Sequence, residues 1–360
     1  MKKLIAFFAL IAIAITAGRC ADKTIAELHP DFESTFLSAR KQARSTPNHV
    51  PALSLYFISD THSDGESFAR HLEFCKTYEK YFDGIFCAGD VAENDAQSDF
   101  SYWAKTPGHE KVMIAIGNHD TLRDCKGWSA GPEIWEDQLT MRESYDKYFA
   151  PFIDKWGVVY EPGKTYYYKD FDAQKVRFIV IDSMLKLRME PKAAVGQMAW
   201  FKTALAGAKE KDYSVIVGAH VSMNNTEFAD CNFTDFGAYA GNEYEDEFYP
   251  KAVDEFMKEG GKFVCYLHGH SHYDIVLRSK TYPKQLAIVA ASVIANNPAQ
   301  SPVTDRTYGT RNRDIADVFM ADTTRHIIKI IRIGSNVDCY GRPRNGISID
   351  YETGEIVSQY

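Results

Sequence analysis

Five short apolar runs in this chain each break off into side chains that can hold metal ions. They are Leu53–Ser59 before Asp60-Thr61-His62, Gly84–Ala88 before Gly89-Asp90, Val112–Ile116 before Gly117-Asn118-His119-Asp120, Ser214–Gly218 before His220, and Lys262–Leu267 before Gly269-His270-Ser271-His272. Runs of this length and composition predict buried strands. The stretch Glu66–Tyr81 between the first two has helical spacing, and strand–helix–strand order implies a crossover and parallel pairing. Parallel strands bring their carboxyl ends to one edge, where sites form in open α/β sheets. The pattern predicts an α/β fold whose five strands deliver polar ligands at one edge.

The rest of the chain fits a large core around such a sheet. With 45% hydrophobic and 13% aromatic residues among 360, one big domain can bury itself well. Residues 21–50 read as a lead-in with an amphipathic helix near Phe32–Ala43, and residues 51–335 as the main domain. Thr165–Phe171 and Lys175–Asp182 predict a hairpin, followed by a helix bearing Gln197, Trp200 and Leu205. Asn224–Tyr249 is acidic and aromatic, and reads equally as a lid over the ligands or as a solvated loop packed by its own rings. Gln285–Ile294, Asp317–Asp322 and His326–Ile333 predict further strands that complete a second sheet. The tail, 336–360, has no clear pattern.

The net charge of −8 argues against general nucleic-acid binding, which draws its affinity from Lys and Arg on phosphates. Lys2 and Lys3, an apolar stretch from Leu4 to Ile15, and Thr16-Ala17-Gly18 have the layout of a secretory signal over residues 1–20. That stretch is too short for a comfortable membrane span, so the mature chain is expected to carry no transmembrane helix. The expected location is exported: periplasmic, extracellular or lipid-anchored at a bacterial membrane. Cys20 resembles a lipoprotein processing site, although Arg19 departs from the small residue usual before it, so lipidation and plain cleavage both stay open. Of the seven cysteines, Cys87 and Cys265 sit in strand-like runs as core residues, and a Cys125–Cys231 bridge is the favoured pairing in an oxidising compartment.

Asp60 and His62 are two residues apart at a strand end, as are His270 and His272, so each pair can leave one face and chelate one ion. A lone pair of this kind is weak evidence, but five motifs in series are specific. Four imidazoles, one amide oxygen and two carboxylates suit Mn, Fe, Zn, Co or Ni better than Ca or Mg, so two divalent transition-metal ions are expected. A carboxylate at Asp90 can span two cations and offset their repulsion.

This ordered set resembles the calcineurin-like metallophosphoesterase superfamily over about Leu53 to His272. The resemblance implies a four-layer αββα sandwich of two mixed β-sheets flanked by helices, with 51–335 as the catalytic domain. Carried over by position, Asp60, His62 and His272 would hold one metal and Asn118, His220 and His270 the other, with Asp90 between them. A hydroxide bridging the ions would attack a phosphate mono- or diester in line, since two cations roughly 3.5–4 Å apart stabilise both entering and leaving oxygens. His119 is the expected general acid, with Asp120 fixing its tautomer, and a simple hydrogen bond from His119 to a phosphate oxygen is the other reading. Asn94 is a candidate substrate contact, with a helix cap as the alternative. In the purple acid phosphatase branch a tyrosine follows the Gly-Asp motif; here Glu93 stands there, which disfavours a tyrosinate-bound iron. The arginine pair of the protein phosphatase branch is also missing around these motifs.

Two rivals come from other classes. One is a non-catalytic metal-containing binding module on the same fold, disfavoured because all seven ligands and the acid are present. The other is a glycan-binding surface lipoprotein that works through its aromatic loops.

Overall fold

The computed structural model describes residues 23–41, 50–93, 100–123, 138–185, 190–221, 248–272, 275–279, 281–289, 293, 306, 309–334 and 346–359. The signal segment, Cys20, Asn94, Cys125, Cys231 and most of Asn224–Tyr249 lie outside them.

The apolar runs are strands, and they divide between two sheets. β1 (Leu53–Ile58), β2 (Gly84–Cys87) and β3 (Val112–Ile114) pair parallel in the first. β4 (Val159–Tyr160), β5 (Tyr167–Phe171), β6 (Val176–Val180), β7 (Ser214–Gly218), β8 (Lys262–His268), β9 (Ile275–Arg278) and β10 (Leu286–Val289) build the second, in the order β4-β5-β6-β7-β8-β10-β9. β6, β7, β8 and β10 run parallel there, with antiparallel hairpins at both edges. β11 (Ala316–Asp322), β12 (Ile327–Ile333), β13 (Gly346–Asp350) and β14 (Ile356–Gln359) return to the first sheet, in the order β14-β13-β12-β11-β1-β2-β3. Each sheet has seven strands and is mixed.

The last four strands differ from the sequence reading. Asp317–Asp322 and His326–Ile333 do not join the second sheet; β11 pairs antiparallel with β1, Leu55 opposite Phe319. Without that partner β1, buried along its whole length, would be an edge strand with unpaired backbone groups. Within the patternless tail, residues 346–359 form β13 and β14 and extend the same sheet beyond β12.

Side-chain alternation makes the layers. Along β6, Val176, Phe178 and Val180 face the core between the sheets, while Ile179, with Ile181 just beyond, packs against helices on the outer face. Phe57 stacks on Phe86, and Phe86 meets Phe178 of the opposite sheet edge-on at 4.8 Å, which locks the two sheets together. α1 (Phe32–Lys41) and α2 (Gly65–Thr77) belong with the first sheet. α2 starts where the Asp64 side chain accepts the Ser67 N–H, and it buries Phe68, His71, Leu72 and Cys75 at helical spacing. α3 (Pro191–Glu210) and α4 (Phe248–Lys258) cover the second sheet, where Phe201, Leu205, Val253 and Phe256 join its outer cluster. The result is the αββα sandwich. No helix among the described residues is long and apolar enough to cross a membrane.

Candidate metal centre

The motifs lie at the carboxyl ends of β1, β2, β3, β7 and β8, so the ligands converge from facing ends of two sheets rather than from one edge. Their backbone is unusual. Asp60, His62, Asp90, His270 and His272 all have positive φ, between 42° and 68°, a region that costs a non-glycine residue of order 1–3 kcal/mol. Such turns, and not the pleat of a strand, put Asp60 and His62 on one side. Backbone hydrogen bonds hold the turns in place: the N–H groups of Asp60, His62 and Ser63 donate to the carbonyls of Gly89, Asp90 and Val91 at 2.9–3.0 Å. Glycines at 89, 117 and 269, at the head of three of the motifs, allow the close approach. A Cβ on Gly117 would stand 2.1 Å from Asp90 Oδ1, and one on Gly269 would stand 1.8 Å from Ser59 Oγ.

Two groups of donor atoms result. In one, His272 Nε2 lies 3.3 Å from Asp60 Oδ1 and 3.0 Å from His62 Nε2. In the other, His220 Nε2 lies 3.2 Å from Asp90 Oδ2, 3.0 Å from Asn118 Oδ1 and 3.2 Å from His270 Nδ1. Asp90 Oδ2 is also 4.0 Å from His62 Nε2, so this oxygen faces both groups. Its partner Oδ1 is committed elsewhere, accepting the His119 N–H at 2.9 Å. His220 Nδ1 donates to the Ala88 carbonyl at 2.7 Å, which fixes the tautomer and turns the Nε2 lone pair toward Asp90 and Asn118.

The electrostatics show that each group has room for a positive charge. Burial opposes charge on the ring of His220, but Asp90 and Asp60 outweigh it and push His220 up to about 9. His272 is raised in the same way against burial, by Asp60. Burial favours the neutral acids, yet the imidazoles hold Asp90 well below the usual carboxylate range and Asp60 below it as well. Burial and the neighbouring His220 push His270 down to about 4. Each group thus contains one carboxylate kept charged and one imidazole that draws a proton into a buried site. A cation is the alternative occupant, and the donor set fits transition metals.

His119 is the second residue of a short helical turn, Asn118–Thr121, that follows Gly117. Its Nδ1 donates to the Glu93 carbonyl, and its Nε2 sits 3.9 Å from Asp90 Oδ2, beside the donor atoms. Its ring meets that of His62 edge-on at 4.7 Å. The partner holding the Nδ1 proton of His119 is therefore the Glu93 carbonyl, where the sequence reading placed Asp120. Asp120 points back into the protein, and its two oxygens accept the N–H groups of Val91, Ala92 and Gly117 at 2.8–2.9 Å. This carboxylate ties the loop after β2 to the loop after β3. Burial, with Asp90 close by, pushes it up to about 7. In the sequence Glu93 stands out only for not being a tyrosine; its place three residues after Asp90 is the available signal.

Residues 53–274 match the family model for calcineurin-like phosphoesterases. The chain belongs to that family, and it is a metal-dependent phosphoesterase, a hydrolase of phosphoric ester bonds. Among solved structures it is similar to a dimetal phosphatase from Danio rerio, at 12% identity and a TM-score of 0.49, covering 80% of this chain and 97% of that one. It is also similar to the phosphoesterase Yfce from E. coli, at 9% identity and a TM-score of 0.30, covering 86% and 98%. A third similarity is to GAP50, the anchor in the inner membrane complex of Plasmodium, at 12% identity and a TM-score of 0.37, covering 86% and 88%. A search of curated proteins matched none.

Proposed function

We propose that the protein hydrolyses a small phosphate mono- or diester by in-line displacement at two metal ions. The observation that carries this reading is the position of Asp90 Oδ2, which faces both donor groups and lies 3.9 Å from His119 Nε2. Asp60, His62 and His272 would hold one ion, Asn118, His220 and His270 the other, and Asp90 both. When bound, the ions supply a water acidic enough to attack at neutral pH and stabilise charge on the phosphoryl oxygens.

The residues of the chain do the rest. Asp90, with Oδ1 fixed by the His119 N–H, keeps one orientation and ties the metal loop to the loop of the acid. His119, when it carries a proton on both ring nitrogens, keeps the Nδ1–H on the Glu93 carbonyl and presents the Nε2–H for delivery to the leaving oxygen, which leaves the ring neutral and contributes roughly 10²–10⁴-fold. Asp120 keeps the two loops in register. Mn, Fe, Zn, Co and Ni are all compatible with the nitrogen-rich donor set.

The experiment is turnover by His119→Ala of phosphate esters that differ in leaving group, from p-nitrophenyl to alkyl. The rate should fall most for poor leaving groups while both ions stay bound. Unchanged rates on good and poor leaving groups alike would remove His119 as the acid.

Export is proposed on the Lys2-Lys3 and Leu4–Ile15 layout. Mass spectrometry of the mature N-terminus tests it and separates cleavage from lipidation at Cys20; a chain still starting at Met1 would contradict export.

A further inference from the structure

Glu93 lies at the rim of the centre and touches two of its imidazoles through different atoms. Its carboxylate Oε2 is 2.7 Å from His62 Nδ1, and its backbone carbonyl receives the proton on His119 Nδ1. His62 is almost fully buried, at 4% exposure of its side chain, while the Glu93 side chain is 35% exposed. A carboxylate half in solvent is cheap to keep charged, so it can lean on a buried ring without the cost of burying itself. His62 has one nitrogen on each side of this arrangement: Nδ1 toward Glu93, Nε2 toward Asp60 and His272. A histidine that donates its outer N–H to a carboxylate is fixed in tautomer and ring orientation, and its inner nitrogen becomes a better ligand.

We propose that Glu93 is a positioning residue that sets the metal affinity of the Asp60–His62–His272 position through His62, while its carbonyl holds His119 in place. This rests on the metal-dependent reading above. The two arms separate experimentally, because any side-chain substitution leaves the carbonyl in place. The loop itself is held independently, by the His62 N–H on the Asp90 carbonyl and by Asp120 on the N–H groups of Val91 and Ala92.

The test is titration of metal-free full-length wild type, Glu93→Ala and Glu93→Gln with Co(II), reading visible absorption and chelator competition. The expected result is two ions per chain at saturation in all three proteins. One position of Glu93→Ala should be weakened roughly 10–100-fold and the other unchanged. Glu93→Gln, whose amide oxygen can still accept the Nδ1 proton, should lie between wild type and Glu93→Ala. Wild-type affinity at both positions in Glu93→Ala would overturn the proposal, whatever happens to turnover. Loss of one ion at saturating Co(II) would also overturn it, since Glu93 would then be a ligand. If Glu93→Ala does not fold, the near-isosteric Glu93→Gln decides: a several-fold drop at one position supports the proposal and wild-type affinity refutes it. A wild type that takes up fewer than two ions would instead bring down the two-metal reading itself, and this inference with it.

Discussion

Replacing Gly117 with alanine puts a methyl carbon 2.1 Å from Asp90 Oδ1 and 2.4 Å from the Asp90 amide nitrogen. Ordinary van der Waals contact requires a retreat of at least about 1 Å. Neither side can yield freely. Asp90 Oδ1 is fixed by the His119 N–H at 2.9 Å, and the Gly117 N–H is fixed by Asp120 at 2.9 Å. A shift of that size is several times the roughly 0.2 Å tolerance of metal–ligand distances. It also moves the one oxygen that faces both donor groups. Misplacement by 1 Å can cost about 10²-fold in rate, and overpacking costs about 1–3 kcal/mol of stability. Gly117→Ala should therefore lose metal and drop at least about 100-fold in phosphoesterase rate while still folding. Metal content by mass spectrometry, turnover and denaturant unfolding read these three quantities. Gly196→Ala is the control: a Cβ there meets nothing within 4 Å in the middle of α3, so activity should hold and stability should rise by about 0.4–1 kcal/mol. Full metal content and wild-type turnover in Gly117→Ala would show that the loops give way easily, and the argument from close approach would fail.

Asp120→Ala removes the acceptor of three backbone N–H groups and should cost on the order of 1–3 kcal/mol of stability. Metal content should fall with it; a variant with normal stability and metal but slow turnover would restore Asp120 as a partner of His119. Acid should destabilise the metal-free protein. Burial holds both His29 and His71 down to about 4, against 6.5 in the unfolded chain. Between those values only the unfolded chain takes up the protons, so stability is fully present above pH 6.5 and is lost as the pH falls toward 4. The effect is at most on the order of 3 kcal/mol per histidine. Urea unfolding in chelator from pH 7 to 4.5 measures it, and His71→Gln should flatten the profile; a profile equally steep in wild type and variant would contradict the assignment.

How much of this was legible in the sequence follows from which forces act locally. Strands that are buried on both faces, such as Ser214–Gly218 and Lys262–His268, announce themselves as continuous apolar runs. The motif residues follow directly, because each stands just past the end of such a run, although positive-φ turns and not the strand pleat aim their side chains. Sheet membership was not legible: Asp317–Asp322 has the same pattern whether it pairs with β1 or with the second sheet, and the choice is made by what β1 leaves open. The tail strands Gly346–Asp350 and Ile356–Gln359 are short, and the outer one exposes Ile356 and Val357, so no alternation marks them. At the site, residue types and spacing pointed to the ligands, but they could not show which atom holds His119. That depends on a backbone carbonyl at Glu93, and a carbonyl has no residue code.

The central claim is tested most directly by hydrolysis of p-nitrophenyl phosphate and bis-p-nitrophenyl phosphate. The purified protein would be supplied in turn with Mn, Zn, Fe, Co and Ni, beside an Asp90→Ala control. The expected result is metal-dependent turnover by the wild type and none by Asp90→Ala, which should also lose occupancy at one position. Turnover that survives chelation, or an Asp90→Ala protein with two ions and wild-type rates, would contradict the account.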